Sequence, residues 1–145
     1  MDQTVAALRP LLAGRLSGRL VDFGFGSQLT TEGGRALVAL MADSHLEGLA
    51  KLNLQNNRGL GDDGTMVIAS ALSEGLLPNL EHLDLDGTGM GDAGATALAG
   101  ALDGAPKLKT LIVGKNSFGD EAKEDLKAAC KRRGVAAMKG YFDAL

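Results

Sequence analysis

From Leu49 onward the chain repeats one hydrophobic pattern three times. Leu49, Leu52 and Leu54 recur as Leu80, Leu83 and Leu85, and again as Leu108, Leu111 and Val113, with spacings of 31 and 28 residues between the first leucines. Within each copy apolar and polar positions alternate, as Leu52 and Leu54 do with Lys51, Asn53 and Gln55. A period of two puts the leucines on one face of a β-strand and the polar residues on the other. A Gly-Asp turn follows each strand, in Leu60-Gly-Asp-Asp-Gly64, Met90-Gly-Asp-Ala-Gly94 and Phe118-Gly-Asp-Glu-Ala122. Beyond the turn the period becomes helical, over residues 66–72, 95–102 and 126–130. Ala95, Leu98, Ala99 and Leu102 fall at the i, i+3, i+4 spacing of an apolar helix stripe.

A fainter copy precedes these three. Val21-Asp-Phe23 fills the strand slots, Leu29-Thr-Thr-Glu-Gly33 the turn, and Gly34-Arg-Ala-Leu37-Val-Ala-Leu40 the helix. Earlier still, Ala7, Leu8, Leu11 and Leu12 keep helix phase, interrupted at Pro10, which lacks an N–H and clashes with the preceding turn. Asp62, Asp92 and Asp120 each follow a glycine and fit helix N-caps whose carboxylates accept from the orphan N–H groups of their own helix. Thr31 occupies the same slot in the first copy. No unit buries both its strand face and its helix stripe alone. Stacked units share one continuous core, with parallel strands along one side.

The strand segments read L-x-x-L-x-L-x-x-N, with Thr88 and Val113 as departures, and each is followed by a G-D helix start. This resembles the leucine-rich-repeat family, specifically its ribonuclease-inhibitor-type class with repeats of about 28–29 residues. The resemblance implies an α/β solenoid: a short horseshoe arc with parallel β-strands on the concave face and α-helices on the convex face. A single domain is expected. Residues 1–17 would form an N-terminal half-repeat or cap, 18–134 about four repeats, and 135–145 a C-terminal cap or tail. Repeats one and two carry an extra turn residue, at Ser27-Gln28 and Arg58-Gly59.

Composition narrows the classes. The 145 residues suit one domain. Apolar residues at 45% and charged residues at 23% exclude a disordered chain. Aromatics make up only 3%, so Leu, Ala and Val must fill a core whose layers approach closely. A net charge of −3 argues against nucleic-acid binding by phosphate neutralisation. One cysteine excludes a disulfide scaffold or a Cys-rich zinc site. No apolar run reaches the length of a membrane span. The N-terminus lacks the charged start and apolar stretch of a secretory signal, so a cytoplasmic protein is expected, or an organellar one if a presequence has been removed. Residues 1–104 hold 6 Lys+Arg and 13 Asp+Glu, whereas 105–145 hold 9 and 5. The basic part centres on Lys123, Lys127, Lys131, Arg132 and Arg133. They read either as a contact for an acidic or anionic surface or as cations at the negative end of a helix dipole.

Strand phase sorts the outward residues into four columns. These are Leu20, Lys51, His82 and Thr110; Asp22, Asn53, Asp84 and Ile112; Gly24, Gln55, Asp86 and Gly114; and Phe25, Asn56, Gly87 and Lys115. Neighbouring strands lie about 4.8 Å apart, so each column is a compact array. Asp22, Asp84 and Asp86 make its middle acidic, and they are read as facing solvent, so reversing Asp84 and Asp86 together should leave the fold intact. The expected protein-binding residues are Asp22, Phe25, Lys51, Asn53, Gln55, His82, Asp84, Asp86, Ile112 and Lys115. The competing account is a concave face that is simply solvated. The tail, with Tyr141 and Phe142, reads either as a cap over the last strand edge or as a docking segment with those two aromatics as anchors.

Catalytic constellations are missing from the sequence. His82 beside Asp84 has no Ser or Cys partner in the strands, His45 falls in a loop, and Cys130 sits in an apolar helix stripe. The aspartates do not form a D-x-[DN]-x-[DN]-G calcium loop, and Gly24-Phe-Gly26 is not a dinucleotide fingerprint. No metal, cofactor or small-molecule substrate is expected. The resemblance implies a non-enzymatic module that binds a protein partner through the concave strand face and the rim loops Asn57-Arg58-Gly59, Thr88-Gly89 and Asn116-Ser117. An accessory subunit of a larger complex is the alternative. A GTPase regulator acting through Asn57 and Arg58, or an enzyme inhibitor, is the more remote one.

Overall fold

The computed structural model describes residues 22–24, 29–43, 47–140 and 144–145. Among the described residues, five three-residue strands alternate with four α-helices: β1 (Asp22–Gly24), α1 (Thr31–Ala42), β2 (Lys51–Asn53), α2 (Gly61–Ser73), β3 (His82–Asp84), α3 (Asp92–Ala101), β4 (Thr110–Ile112), α4 (Asp120–Arg133) and β5 (Ala136–Met138). The strands form one open parallel sheet in sequence order, β1 to β5. Each crossover carries a helix, and consecutive helices pack on one another. Each unit thus touches mainly its neighbours, as a solenoid requires.

The leucine pattern sets the register. Leu52, Leu83 and Leu111 lie side by side on adjacent strands, with Ala137 next in the row. Leu49, Leu54, Leu80, Leu85 and Val113 are buried with them. From the other side, Leu37, Ile68, Leu72, Leu98, Leu102 and Leu126 close the same core. Burying a leucine side chain is worth about 1.5–3 kcal/mol, so these rows dominate the stability of the array.

Two features depart from the sequence reading, and one, the second below, adds to it. First, β1 is displaced by two residues: Asp22, not Leu20, pairs with Lys51, and Gly24 pairs with Asn53. The first copy has weak strand signals, and period two permits a two-residue slip without turning any side chain to the other face. Second, the tail supplies β5, which pairs in parallel with β4, and Leu145 N–H then returns to the Ala137 carbonyl at 2.9 Å. Third, the turn aspartates do not cap their own helices. Thr30, not Thr31, caps α1, its hydroxyl accepting from Gly33 N–H. Leu60, Gly91 and Gly119 precede α2, α3 and α4 without a side-chain cap.

The aspartates reach across to the next repeat instead. Asp62 Oδ1 accepts from Gly91 N–H at 2.8 Å and from Gly94 N–H at 2.7 Å, the latter in the first turn of α3. Asp92 Oδ1 accepts from Gly119 N–H at 2.6 Å. Thr31 repeats the theme by donating its hydroxyl to the Leu60 carbonyl at 3.1 Å. Stacking brings the next helix start within reach of each side chain, and the carboxylate stabilises its positive end. Glycine at 91 and 94 is what makes room, since a Cβ at those positions would lie 2.9 and 2.8 Å from the Asp62 carboxylate.

Asparagines tie the strand exits together. Asn57, 0% exposed, accepts from Leu29 N–H at 2.7 Å and donates to the Leu54 carbonyl at 2.9 Å. Asn116 accepts from the N–H groups of Thr88 and Met90, both at 3.0 Å, and donates to Leu85 and Val113 carbonyls. Thr88 interrupts this ladder. Its hydroxyl satisfies the Leu85 carbonyl of its own repeat, and Leu60 N–H turns to the Asn57 carbonyl. Asp62 bridges that same junction, so each described pair of repeats keeps a side-chain tie.

Candidate functional site

The concave side of the sheet holds a groove of about 430 Å³ across β2–β5. Lys51, His82 and Thr110 line one margin, the backbone at Leu52 and Leu83 the floor, and Asn53, Asp84, Ile112 and Met138 the other margin. Strand pairing aligns them in two rows: Lys51, His82 and Thr110 continue into Ala136, while Asn53, Asp84 and Ile112 continue into Met138. The columns expected for repeats two to four therefore exist. Lys51 is exposed, and Asn53, Gln55, His82 and Thr110 are half-buried.

The acidic middle differs from the expectation. Asp84 and Asp86 are 5% and 6% exposed, and Ile112 is 5% exposed. They do not form a solvated strip, and reversing both aspartates would place charge where water barely reaches. One Asp84 oxygen accepts the Asp86 N–H at 2.9 Å. Asp86 Oδ2 takes Lys115 Nζ at 3.0 Å, while its Oδ1 is buried without a hydrogen-bond partner. The sequence reading missed this burial because β5 and the backbone at Lys139 lie beside β4, and neither belongs to the repeat pattern. Lys115 itself is exposed on a left-handed backbone, φ 51°.

Other expected positions sort as follows. Asp22 sits in β1 level with Lys51, as its backbone register shows. Phe25, Tyr141 and Phe142, as well as His45 and residues 1–17, lie outside the described residues. Of the rim residues, Arg58, Gly59, Gly89 and Ser117 are exposed, but Asn57 and Thr88 are fully buried in the asparagine ladder. Asn57 is thereby removed from any role at the rim. At the convex end, Lys131, Arg132 and Arg133 occupy the last turn of α4. The two arginines lie 3.9 and 3.6 Å from the Asp103 carboxylate, so part of the basic cluster serves the fold.

Among the described residues, two groups have clearly shifted acidities. Glu81, at the edge of β3, has its carboxyl held below the usual range by the hydrogen bond from Lys109, then by that residue's charge. Burial pushes the Cys130 thiol up to about 11. Such a thiol is a core side chain rather than a nucleophile. Among the described residues no helix is long and apolar enough to cross a membrane.

Two comparisons bear on this geometry. A family model described as Leucine Rich repeat matches residues 49–69 and 77–99, the segments from β2 into α2 and from before β3 into α3. The chain is also similar to RAN GTPase-activating protein 2 of Arabidopsis thaliana, with 33% identity over 107 residues. That alignment covers 74% of this chain and 19% of the relative, so the chain spans only a small part of that protein's length.

Proposed function

The chain is a leucine-rich-repeat protein, and we propose that it acts as a non-enzymatic module that grips another protein in its concave groove. The supporting observation is the groove itself. It offers rows of polar side chains at strand spacing, with Ile112 and Met138 as apolar neighbours at one margin. Mixed apolar and polar lining is the usual composition of a protein-recognition patch. Lys51, Asn53, His82, Thr110 and Met138 are its contact residues, with the exposed rim at Arg58 and Ser117 beside them. The test is affinity purification with the parent protein and two variants. Lys51→Glu with His82→Glu should abolish capture of a stoichiometric partner, whereas Met66→Lys on the convex side, where the methionine is 46% exposed, should not. Equal capture by all three would refute the concave site.

A second reading is favoured by one observation, the similarity to a RAN GTPase-activating protein. On that reading the module regulates a GTPase, and Arg58 is the exposed rim cation available to it. Activators of this type stabilise charge developing on the transferred phosphoryl group or orient the GTPase's own residues. Titrating the protein into single-turnover GTP hydrolysis by small GTPases tests it. A rate increase that Arg58→Ala removes supports the reading, and no change in rate across the GTPases refutes it.

A further inference from the structure

We infer that the margin of the groove formed by Lys51, His82 and Thr110 is a seat for a carboxylate side chain of the bound protein. The inference rests on the concave-face reading above and names the chemistry of its partner. Strand register puts the three residues side by side on β2, β3 and β4, and all three line the groove. Neighbouring strands lie about 4.8 Å apart, so one carboxylate reaches two adjacent side chains of the row. Lysine brings three N–H donors, threonine a hydroxyl and histidine at least one ring N–H. Lys51 is exposed, and His82 and Thr110 are half-buried. Among the described residues none of these three side chains has a hydrogen-bond or ion-pair partner. The row therefore offers unused donors on three successive strands and carries no negative charge of its own.

The charges around the row select the group it takes. Glu81 precedes His82, but Lys109 Nζ occupies its carboxylate at 2.8 Å. Lys109 above all, with smaller effects from His82 and Lys107, lowers the acidity constant of that carboxyl, so the positive field of the lysines reaches this margin. In a chain of net charge −3 the margin is a local exception. Asp22, level with Lys51 on β1, and Asp84, on the far margin, repel a carboxylate and confine it to the His82 and Thr110 side of Lys51. Half-buried Met138 on that far margin offers apolar contact to an aliphatic neighbour of the incoming acid. Among the described residues no arginine lines the groove, so the planar fork that suits phosphate is missing, and a singly charged carboxylate fits the row better. Exposed charges of this kind govern the choice of partner and the rate of encounter.

The test uses the whole, isotope-labelled protein titrated with the peptide acetyl-Leu-Glu-Leu-amide, and in parallel with its glutamine, lysine and phosphoserine counterparts, followed by amide chemical shifts. Saturable shifts at Lys51, His82 and Thr110 are expected with the glutamate peptide, roughly tenfold weaker binding of the glutamine peptide, and no response to the lysine peptide. Added salt should weaken the glutamate peptide and leave the glutamine peptide nearly unchanged. Lys51→Met keeps the apolar stem without the charge and should weaken the glutamate peptide about fivefold, as the loss of one exposed charged contact does. Lys123→Met removes the same charge from α4, outside the groove lining, and should leave binding unchanged. Circular dichroism of both variants should match the parent. Tighter binding of the phosphoserine peptide, or a Lys51→Met variant that behaves like Lys123→Met, would overturn the seat. If the glutamate and glutamine peptides bind equally and both shift Met138, the seat fails and the concave reading stands. If partner capture survives Lys51→Glu with His82→Glu, the concave reading fails and the seat with it.

Discussion

Replacing Asp62 by alanine should uncouple the second repeat from the third. The carboxylate accepts from Gly91 N–H and Gly94 N–H at 2.8 and 2.7 Å, so alanine leaves two backbone donors at the start of α3 without their partner. Losing a capping side chain costs about 0.5–2 kcal/mol, and hydrogen bonds to a charged acceptor lie at the upper end of that range. Asp62 is only half-buried, so water can replace part of what is lost, and about 2 kcal/mol is expected. Asp92 makes one such bond, to Gly119, at an exposed site, so Asp92→Ala should cost about half as much. Urea denaturation followed by far-UV circular dichroism gives both values. Because stability in a stacked array is a sum of unit and interface terms, Asp62→Ala should also broaden the transition. Amide exchange should quicken at Gly91 and Gly94 before it does so in α1. If Asp62→Ala costs less than about 0.5 kcal/mol, or no more than Asp92→Ala, the inter-repeat role is wrong.

Three further outcomes are expected. Leu83→Asp buries a carboxylate in the central leucine row between Leu52 and Leu111, at a cost of several kcal/mol, and should abolish the cooperative thermal transition. For Glu81 the folded pKa lies below the usual 4.5, so its stabilising contribution is present above that pH and disappears as the pH falls through the lowered value. Glu81→Gln should therefore flatten the acid limb of stability below pH 4.5 in urea titrations, an effect that high salt should also diminish because the Lys109 pair is exposed. Cys130, buried and with its thiol raised to about 11, should react with iodoacetamide at neutral pH only as fast as the chain unfolds, and rapidly in denaturant. Fast modification of the folded protein would contradict its placement in the core.

What the sequence determined was the repeating unit. Leucines at period two and at helical spacing specify which residues face inward, because apolar area must leave water whatever the neighbours are. Leu52, Leu83 and Leu111 aligned as read, and so did the columns of Lys51, His82 and Thr110. Tertiary structure decided how units meet and what the ends do. Asp62 looks like a local N-cap because its own helix start is the nearest in sequence, yet stacking puts another repeat's N–H groups nearer in space. Asp84 and Asp86 look solvated because polar strand residues usually are, yet they are buried beside a strand, β5, that carries no repeat signature. Periodicity reports the face a side chain takes within its own element. Hydrogen-bond partners and exposure depend on distances between elements that only the assembled stack sets.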